Sequence, residues 1–269
     1  MNKNITKLAL PKSGIANFII AGDWHSYHCH LPTVKAMGIV ADQWEKNNRT
    51  LIINGDFLDA EYLMPKHESF QSNIKRPNSI EEYFLPELER ECAWGNDMLD
   101  QLATKFSKII FIEGNHCARV RWFGESKHCP IVYKKEFNLV HQLNLRKRKI
   151  DFIHYNNWLD IGQLSITHGM AHGSSACKNH YELSGGRNVI FSHVHKFEAK
   201  SFRTRGKTRR VQSLPCVSTL APSYTRNTDN DWSQGFGTVH MKPNGHYNFF
   251  LFETWDNQII LPNGQLHDL

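Results

Sequence analysis

Thr50-Leu51-Ile52-Ile53-Asn54-Gly55-Asp56 begins as a run of branched apolar side chains and ends abruptly in small and polar ones. The same shape occurs upstream, where Ala16-Asn17-Phe18-Ile19-Ile20-Ala21 runs into Gly22-Asp23, and downstream, where Lys108-Ile109-Ile110-Phe111-Ile112 runs into Glu113-Gly114-Asn115-His116. Each run spans about five residues without strict apolar–polar alternation, which predicts strands buried on both faces of a sheet. Between them, Leu31 to Asn47 and Ser79 to Phe106 carry helical periodicity, with Ser79 as the expected N-cap of the second and Glu81 and Glu82 in its first turn. Strand, helix, strand, helix, strand is the pattern of an α/β layered fold.

Farther out, the second half changes character. Runs at 149–154, 163–167, 188–191, 211–218, 237–241 and 247–252 follow one another closely, punctuated by Gly185-Gly186 and Pro243-Asn244-Gly245. They predict a second, largely antiparallel sheet packed on the first. The stretch from Phe57 to Asn78 is long and polar with few periodic cues, and long loops of that kind are usually functional or mobile. Across 269 residues, 40% are hydrophobic and 22% charged, enough for a sizeable core and too apolar for a disordered or fibrous chain. No repeat, linker or low-complexity tract divides the sequence, so residues 1–269 are expected to form a single domain.

No apolar run approaches the roughly 20 residues that cross a bilayer, so no membrane partner is expected. Met1 to Leu10 alternates polar and apolar residues and lacks a signal peptide's continuous apolar stretch. Cys29, Cys92, Cys117, Cys129, Cys177 and Cys216 include no C-x-x-C pair, so the expectation is reduced cysteines in the cytoplasm. Sixteen histidines point instead to metal or acid–base chemistry. The net charge of +6 is concentrated in one place. Lys196–Arg210 holds seven basic residues and one acid, Glu198, and therefore the whole excess. A local patch of that kind suits a polyanion, with a solvated edge hairpin as the alternative.

At the carboxyl ends of successive predicted strands stand Asp23-Trp24-His25, Gly55-Asp56-Phe57-Leu58-Asp59 and Gly114-Asn115-His116, followed by Thr167-His168-Gly169 and Ser192-His193-Val194-His195. Ligands of open α/β sheets bind outside those ends, so the five groups are expected to converge. In extended chain, residues i and i+2 point the same way, so Asp23 with His25, and His193 with His195, would each present a pair to one site. Taken singly, an aspartate after a strand is more often a turn residue, and His168 alone could be a core histidine. Five such groups in order are another matter.

This motif set resembles that of the calcineurin-like metallophosphoesterases, D-x-H, G-D-x-x-D, G-N-H, H and G-H-x-H, over Asp23 to His195. The resemblance implies two packed mixed β-sheets flanked by helices, a four-layer α-β-β-α sandwich. Carried over by position, it implies that Asp23, His25 and His195 hold one metal, that Asn115, His168 and His193 hold another, and that Asp56 bridges them. His116 would face the substrate, and Asp59 would support the ligands from behind. Two departures stand out. Cys117 follows His116 where the family usually has an acid that orients the histidine, and a thiol cannot replace that acceptor, so the orientation of His116 is left open. Ser192 replaces the glycine of the last motif.

Imidazoles with carboxylates and an amide oxygen suit two divalent ions such as Mn²⁺, with Fe or Zn²⁺ as alternatives. Such a pair supports in-line attack of a metal-bound hydroxide on phosphorus, with His116 protonating the leaving oxygen. Phosphodiesters of nucleic acid or nucleotides are the expected substrates, which would make the chain a nuclease or phosphodiesterase. Phosphomonoesters of nucleotides or sugars are the alternative. Arg119 and Arg121 could grip phosphate oxygens, and the Lys196–Arg210 segment, with Phe197 and Phe202 inside it, could bind single-stranded nucleic acid. A scaffold of the same fold that has lost its ligands is the least favoured reading, because all seven ligand positions are filled.

Overall fold

A computed structural model describes residues 5–204, 206–221 and 230–269. Its core is two six-stranded sheets. The first runs, in spatial order, β12 (Tyr247–Glu253), β11 (Gly235–Met241), β2 (Ala16–Ala21), β3 (Arg49–Asn54), β4 (Lys108–Ile112) and β5 (Asp151–Ile153). The second runs β1 (Ile5–Leu8), β6 (Trp158–Ile161), β7 (Leu164–Thr167), β8 (Asn188–Phe191), β10 (Lys207–Ser213) and β9 (Ala199–Thr204). A small hairpin, β13 (Gln258–Ile260) and β14 (Leu266–Asp268), completes the strands. The helices are α1 (Leu31–Ala41), α2 (Glu68–Asn73), α3 (Leu85–Lys105), α4 (Asn115–Glu125), α5 (Leu139–Gln142) and α6 (Ala176–Leu183).

The central strands are buried on both faces, and their alternation sorts side chains between layers. Ile19, Ala21, Leu51, Ile53 and Phe111 join residues of α1 and α3 in one core. Phe18, Ile20, Ile52, Ile110 and Ile112 meet Leu159, Ile161, Ile166 and Ile190 of the other sheet in a second. The second sheet's outer face packs Val189, Phe191 and Val211 against Ala176 and Cys177 of α6. The result is the expected four-layer α-β-β-α sandwich. Among the described residues, no helix is long and apolar enough to cross a membrane.

Three expectations need correction. Strands β5, β11 and β12 belong to the first sheet, while the second recruits β1 and β6 and is mixed. There, β1–β6, β7–β8 and β8–β10 are parallel, and β6–β7 and β9–β10 antiparallel. Helix α6 crosses over between β7 and β8, and a crossover makes its two strands parallel. Ser79 does not cap a helix: it is itself right-handed helical, makes no side-chain capping bond, and leads into a π-turn at Ile80–Phe84 before α3. The Phe57–Asn78 stretch is not an open loop, since it carries α2 and buries Phe57, Leu58, Tyr62, Leu63 and Phe70.

Candidate metal centre

The loop after β2 zips onto the loop after β3. The amides of Asp23, Trp24, His25 and Ser26 donate to the carbonyls of Gly55, Asp56, Asp56 and Phe57 at 3.1, 2.9, 2.8 and 3.1 Å. Asn54, the last residue of β3, ties in the other sheet. Its side-chain amide donates to Thr167 O (3.0 Å) and Ser192 Oγ (2.9 Å), and its carbonyl accepts from His168 Nδ1 (2.9 Å). At the head of α4, the amide of His116 donates to Asp56 Oδ1 at 2.8 Å, where a helix N-terminus favours negative charge. Glycines make this closeness possible. A Cβ on Gly55, whose φ is +91°, would lie 2.0 Å from His168 Nδ1, and one on Gly114 would lie 2.1 Å from Asp56 Oδ1. Ser192 fills space left open by Gly22, where a Cβ would lie 2.3 Å from the serine hydroxyl.

Asp23 and His25 share one donor set, as expected, but His193 and His195 do not, and strand alternation is the reason for neither. Asp23, His25, Asp56, His193 and His195 all have positive φ, between 46° and 76°. These residues sit in left-handed turns rather than extended chain, a strained conformation that surrounding structure must hold and that concentrates at functional sites. His193 and His195 accordingly point to different places. Asp23, His25 and His195 bring one donor atom each within 4.8 Å of one another, and Asp56, His168 and His193 do the same. A third such set, His25, Asp56 and His116, lies between them. Asn115 joins the second set, with Oδ1 3.0 Å from His168 Nε2. Asp23, His25, Asp56 and His168 are essentially inaccessible.

The chemistry of these donors fits bound cations. His168 Nδ1 donates to a carbonyl, so a neutral ring turns the Nε2 lone pair toward Asp56 Oδ2 at 3.2 Å and Asn115 Oδ1 at 3.0 Å. Lone pair facing lone pair asks for a positive charge. In the chain alone a proton supplies it: burial acts to lower the pKa of His168, but Asp56, Asp23 and the Asn54 carbonyl together outweigh burial and raise it to about 9. On the other side, Asp59 Oδ1 holds His25 Nδ1 at 2.9 Å, which aims Nε2 at His195 Nε2, 3.2 Å away, with Asp23 Oδ1 3.5 Å from the latter. Burial pushes the Asp23 carboxyl up to about 7 and His193 down to about 4. Imidazoles and carboxylates converging with inward lone pairs are donors that suit divalent metal ions.

Asp59 answers the question that Cys117 left open. Its Oδ1 lies 2.7 Å from His116 Nδ1 as well as 2.9 Å from His25 Nδ1, so one carboxylate orients both rings. Cys117 points elsewhere, fully buried, with Sγ accepting from Leu58 N at 3.3 Å. The two arginines diverge because residues two apart on a helix lie about 200° around its axis. Arg119 Nη1 donates to Asp59 O at 3.1 Å, beside the centre. Arg121 turns away to pair with Glu113 (3.2 Å) and Glu125 (3.7 Å), so its geometry does not suit the expected phosphate grip.

Residues missed in the sequence complete the support. Glu91 of α3 is buried, and its carboxylate accepts from Ser26 Oγ (2.9 Å), Asp59 N (3.2 Å) and Ala60 N (3.1 Å). It pins the loop carrying Asp56 and Asp59. The signal was present: Glu91 falls within the buried stripe Leu88, Cys92, Gly95, Met98, Leu99 and Leu102, where helical periodicity calls for an apolar residue. Trp232 covers His195, with ring centroids 4.1 Å apart.

The Lys196–Arg210 segment forms the β9–β10 hairpin at the edge of the second sheet, with Arg205 outside the described residues. Arg209 pairs across the hairpin with Phe202, and Arg210 with Ser201, so the basic side chains alternate between its two faces. Lys196 pairs with Glu198 and Asp231, and Lys200 Nζ donates to Ser174 O at 2.7 Å. The aromatics are engaged in packing: Phe202 stacks on Tyr181 at 4.4 Å and Phe197 lies parallel to Phe249 at 6.4 Å.

No curated protein sequence matches the chain. Similar solved structures include wild-type Vps29 complexed with Zn²⁺ from Entamoeba histolytica, at 11% identity over 93% of this chain and 97% of that one, with a TM-score of 0.45. Others are Vps29 of Chaetomium thermophilum (9%, 94% and 92%, TM-score 0.43) and hypothetical protein PH1004 of Pyrococcus horikoshii OT3 (9%, 88% and 87%, TM-score 0.41). The sequence profile of the calcineurin-like phosphoesterases matches residues 16–213, a span that contains every strand-end motif, and the chain belongs to that family.

Proposed function

We propose that the chain hydrolyses phosphodiesters of nucleic acid or nucleotides. The observation that carries this reading is the convergence of five strand-end segments on one buried cluster, in which Asp56 groups with His168 and His193 on one side and with His25 and His116 on the other. Asp23, His25 and His195 would hold one divalent ion, Asn115, His168 and His193 the other, and Asp56 both. Mn²⁺ is the first choice, and Fe or Zn²⁺ the next. Bound there, the ions supply Lewis acidity to phosphoryl oxygens and bring the pKa of water toward neutrality.

The remaining steps belong to side chains. Asp59 holds His116 at Nδ1, which leaves Nε2 for the ester. Burial acts to lower the pKa of His116, yet the Asp56 charge and the Asp59 bond outweigh it and raise it above the ordinary histidine value. In its protonated form the ring gives the Nε2 proton to the departing oxygen as the phosphorus–oxygen bond breaks. Arg119, fixed on Asp59 O, stands beside this step and can neutralise a non-bridging oxygen. On the β9–β10 hairpin, Arg203 and Arg210 are exposed and available to a polyanionic substrate.

The test is hydrolysis of bis-p-nitrophenyl phosphate beside the monoester p-nitrophenyl phosphate, each with added Mn²⁺. Faster diester cleavage is expected. A preference for the monoester moves the activity to phosphomonoesters, and no hydrolysis of either sinks the catalytic reading.

A further inference from the structure

Helix α4 does more than present Asn115 and His116. Asn115, Arg119, Trp122 and Ser126 recur at helical spacing and line one wall of a pocket of about 330 Å³ that begins at the candidate metal centre. The opposite wall is the stretch between β3 and α3 that reads as a polar loop, and it supplies Leu63, Met64 and Phe70. Phe70 meets Phe123 edge-on at 6.3 Å and His128 at 6.2 Å, so aromatic rings build the pocket floor. Trp122 remains 45% exposed at its rim, held edge-on to Tyr155 at 5.9 Å. With Phe70 and Phe123, Trp122 gives the pocket aromatic surface beside the polar centre on which a flat group can stack.

The pocket's polar groups are unevenly placed. Asn115 and Arg119 lie at the end nearest the metal centre, and His128 and Ser126 lie farther along. Trp122 is seven residues beyond Asn115, about 10 Å along the helix axis. A ligand whose phosphoryl group sits at the centre would therefore lay an apolar, planar group against Trp122, at a distance bridged by a sugar. The few polar groups among flat rings suit the edges and faces of a heterocycle and would be wasted on an acyl chain.

We infer that this pocket, between α4 and the Leu63–Phe70 segment, binds the base of a nucleoside phosphate and so selects nucleoside esters among phosphoesters. The inference rests on the phosphoesterase reading of the adjoining centre. It also assigns work to an ordered segment that none of the five motifs includes.

The test is equilibrium binding by calorimetry, with Mn²⁺ added, of the non-hydrolysable phosphonate analogues of adenosine 5′-monophosphate and ribose 5-phosphate. The two share phosphonate and sugar, and their affinity ratio isolates the base. Wild type is expected to favour the nucleotide by roughly tenfold, the scale of one base–aromatic stack. Trp122→Ala should lose that margin and Trp122→Phe, which keeps an aromatic ring, should keep most of it, with both variants checked as folded by their melting transitions. No margin in wild type, or a margin that persists in Trp122→Ala, overturns the pocket. The chromogenic assay reads the other claim separately: hydrolysis without a margin overturns the pocket alone, and a margin without hydrolysis overturns the phosphoesterase reading alone.

Discussion

The candidate metal centre and the β9–β10 hairpin are opposite outcomes of folding. The centre draws residues from Asp23 to His195 into sets whose donor atoms lie within 4.8 Å. The hairpin takes basic residues adjacent in sequence and sends them to two faces, with Lys196 and Lys200 engaged by neighbours. Proximity along the chain predicted neither result. Parallel strands place their carboxyl ends at one edge of a sheet, so distant loops meet there, whereas the period of two along a strand separates neighbours. A charge count is therefore weaker evidence for a binding surface than ordered motifs are for a site.

The contrast can be broken most directly at Asp56, which groups with His168 and His193 and also with His25 and His116. Asp56→Asn is expected to lower chromogenic ester hydrolysis by more than roughly 10⁴-fold and to release metal from both sets. Elemental analysis showing full metal content with full activity would overturn its bridging place. His116→Ala sharpens the division of labour inside the centre. Turnover should fall by about 10²–10⁴-fold with metal content unchanged, and poor leaving groups should suffer more than good ones. Equal damage to both would mean that the ring acts by charge or position and not as a proton donor.

Glu91 tests whether the centre depends on its buried support. Burial, and then the Asp59 charge, push its carboxyl from the ordinary 4.5 up to about 7. The folded chain thus keeps a proton that the unfolded chain has released, and wild-type stability falls as pH rises through that window and levels off above it. Glu91→Gln keeps an acceptor but cannot titrate. Between pH ~4 and ~8 the stability difference should move in the variant's favour by up to about 3 kcal/mol, read by chemical denaturation. A pH-independent difference would mean that Glu91 titrates alike in the folded and unfolded chain.

The smallest expected effect is at the hairpin. Replacing Arg203, Arg209 and Arg210 with glutamine should flatten the salt slope of oligonucleotide binding by at most about 2, at roughly 0.7 per phosphate contact. Because the charges are divided between faces, a change of one unit or less would mean that only one face meets the strand. An unchanged slope would make the hairpin a solvated edge, and the nucleotide ester reading would then stand without nucleic acid.

Much of this was legible in the chain itself. Short apolar runs ending in Gly-Asp or Gly-Asn-His located β2, β3 and β4, the order of the motifs named the family, and the seven candidate ligands all stand within those motifs. Burial and period are local properties, and a strand buried on both faces announces itself by composition. Tertiary structure alone decided which sheet β5, β11 and β12 joined, because strand pairing depends on crossovers that leave no mark within a strand. It alone showed that Asp59 orients His116 where Cys117 cannot, that Glu91 holds the loop beneath them, and that Arg121 faces away. Those contacts join residues 57, 32 and 8 positions apart. Hydrogen bonds at short range depend on where backbones pass one another, and that is settled only when the whole core packs.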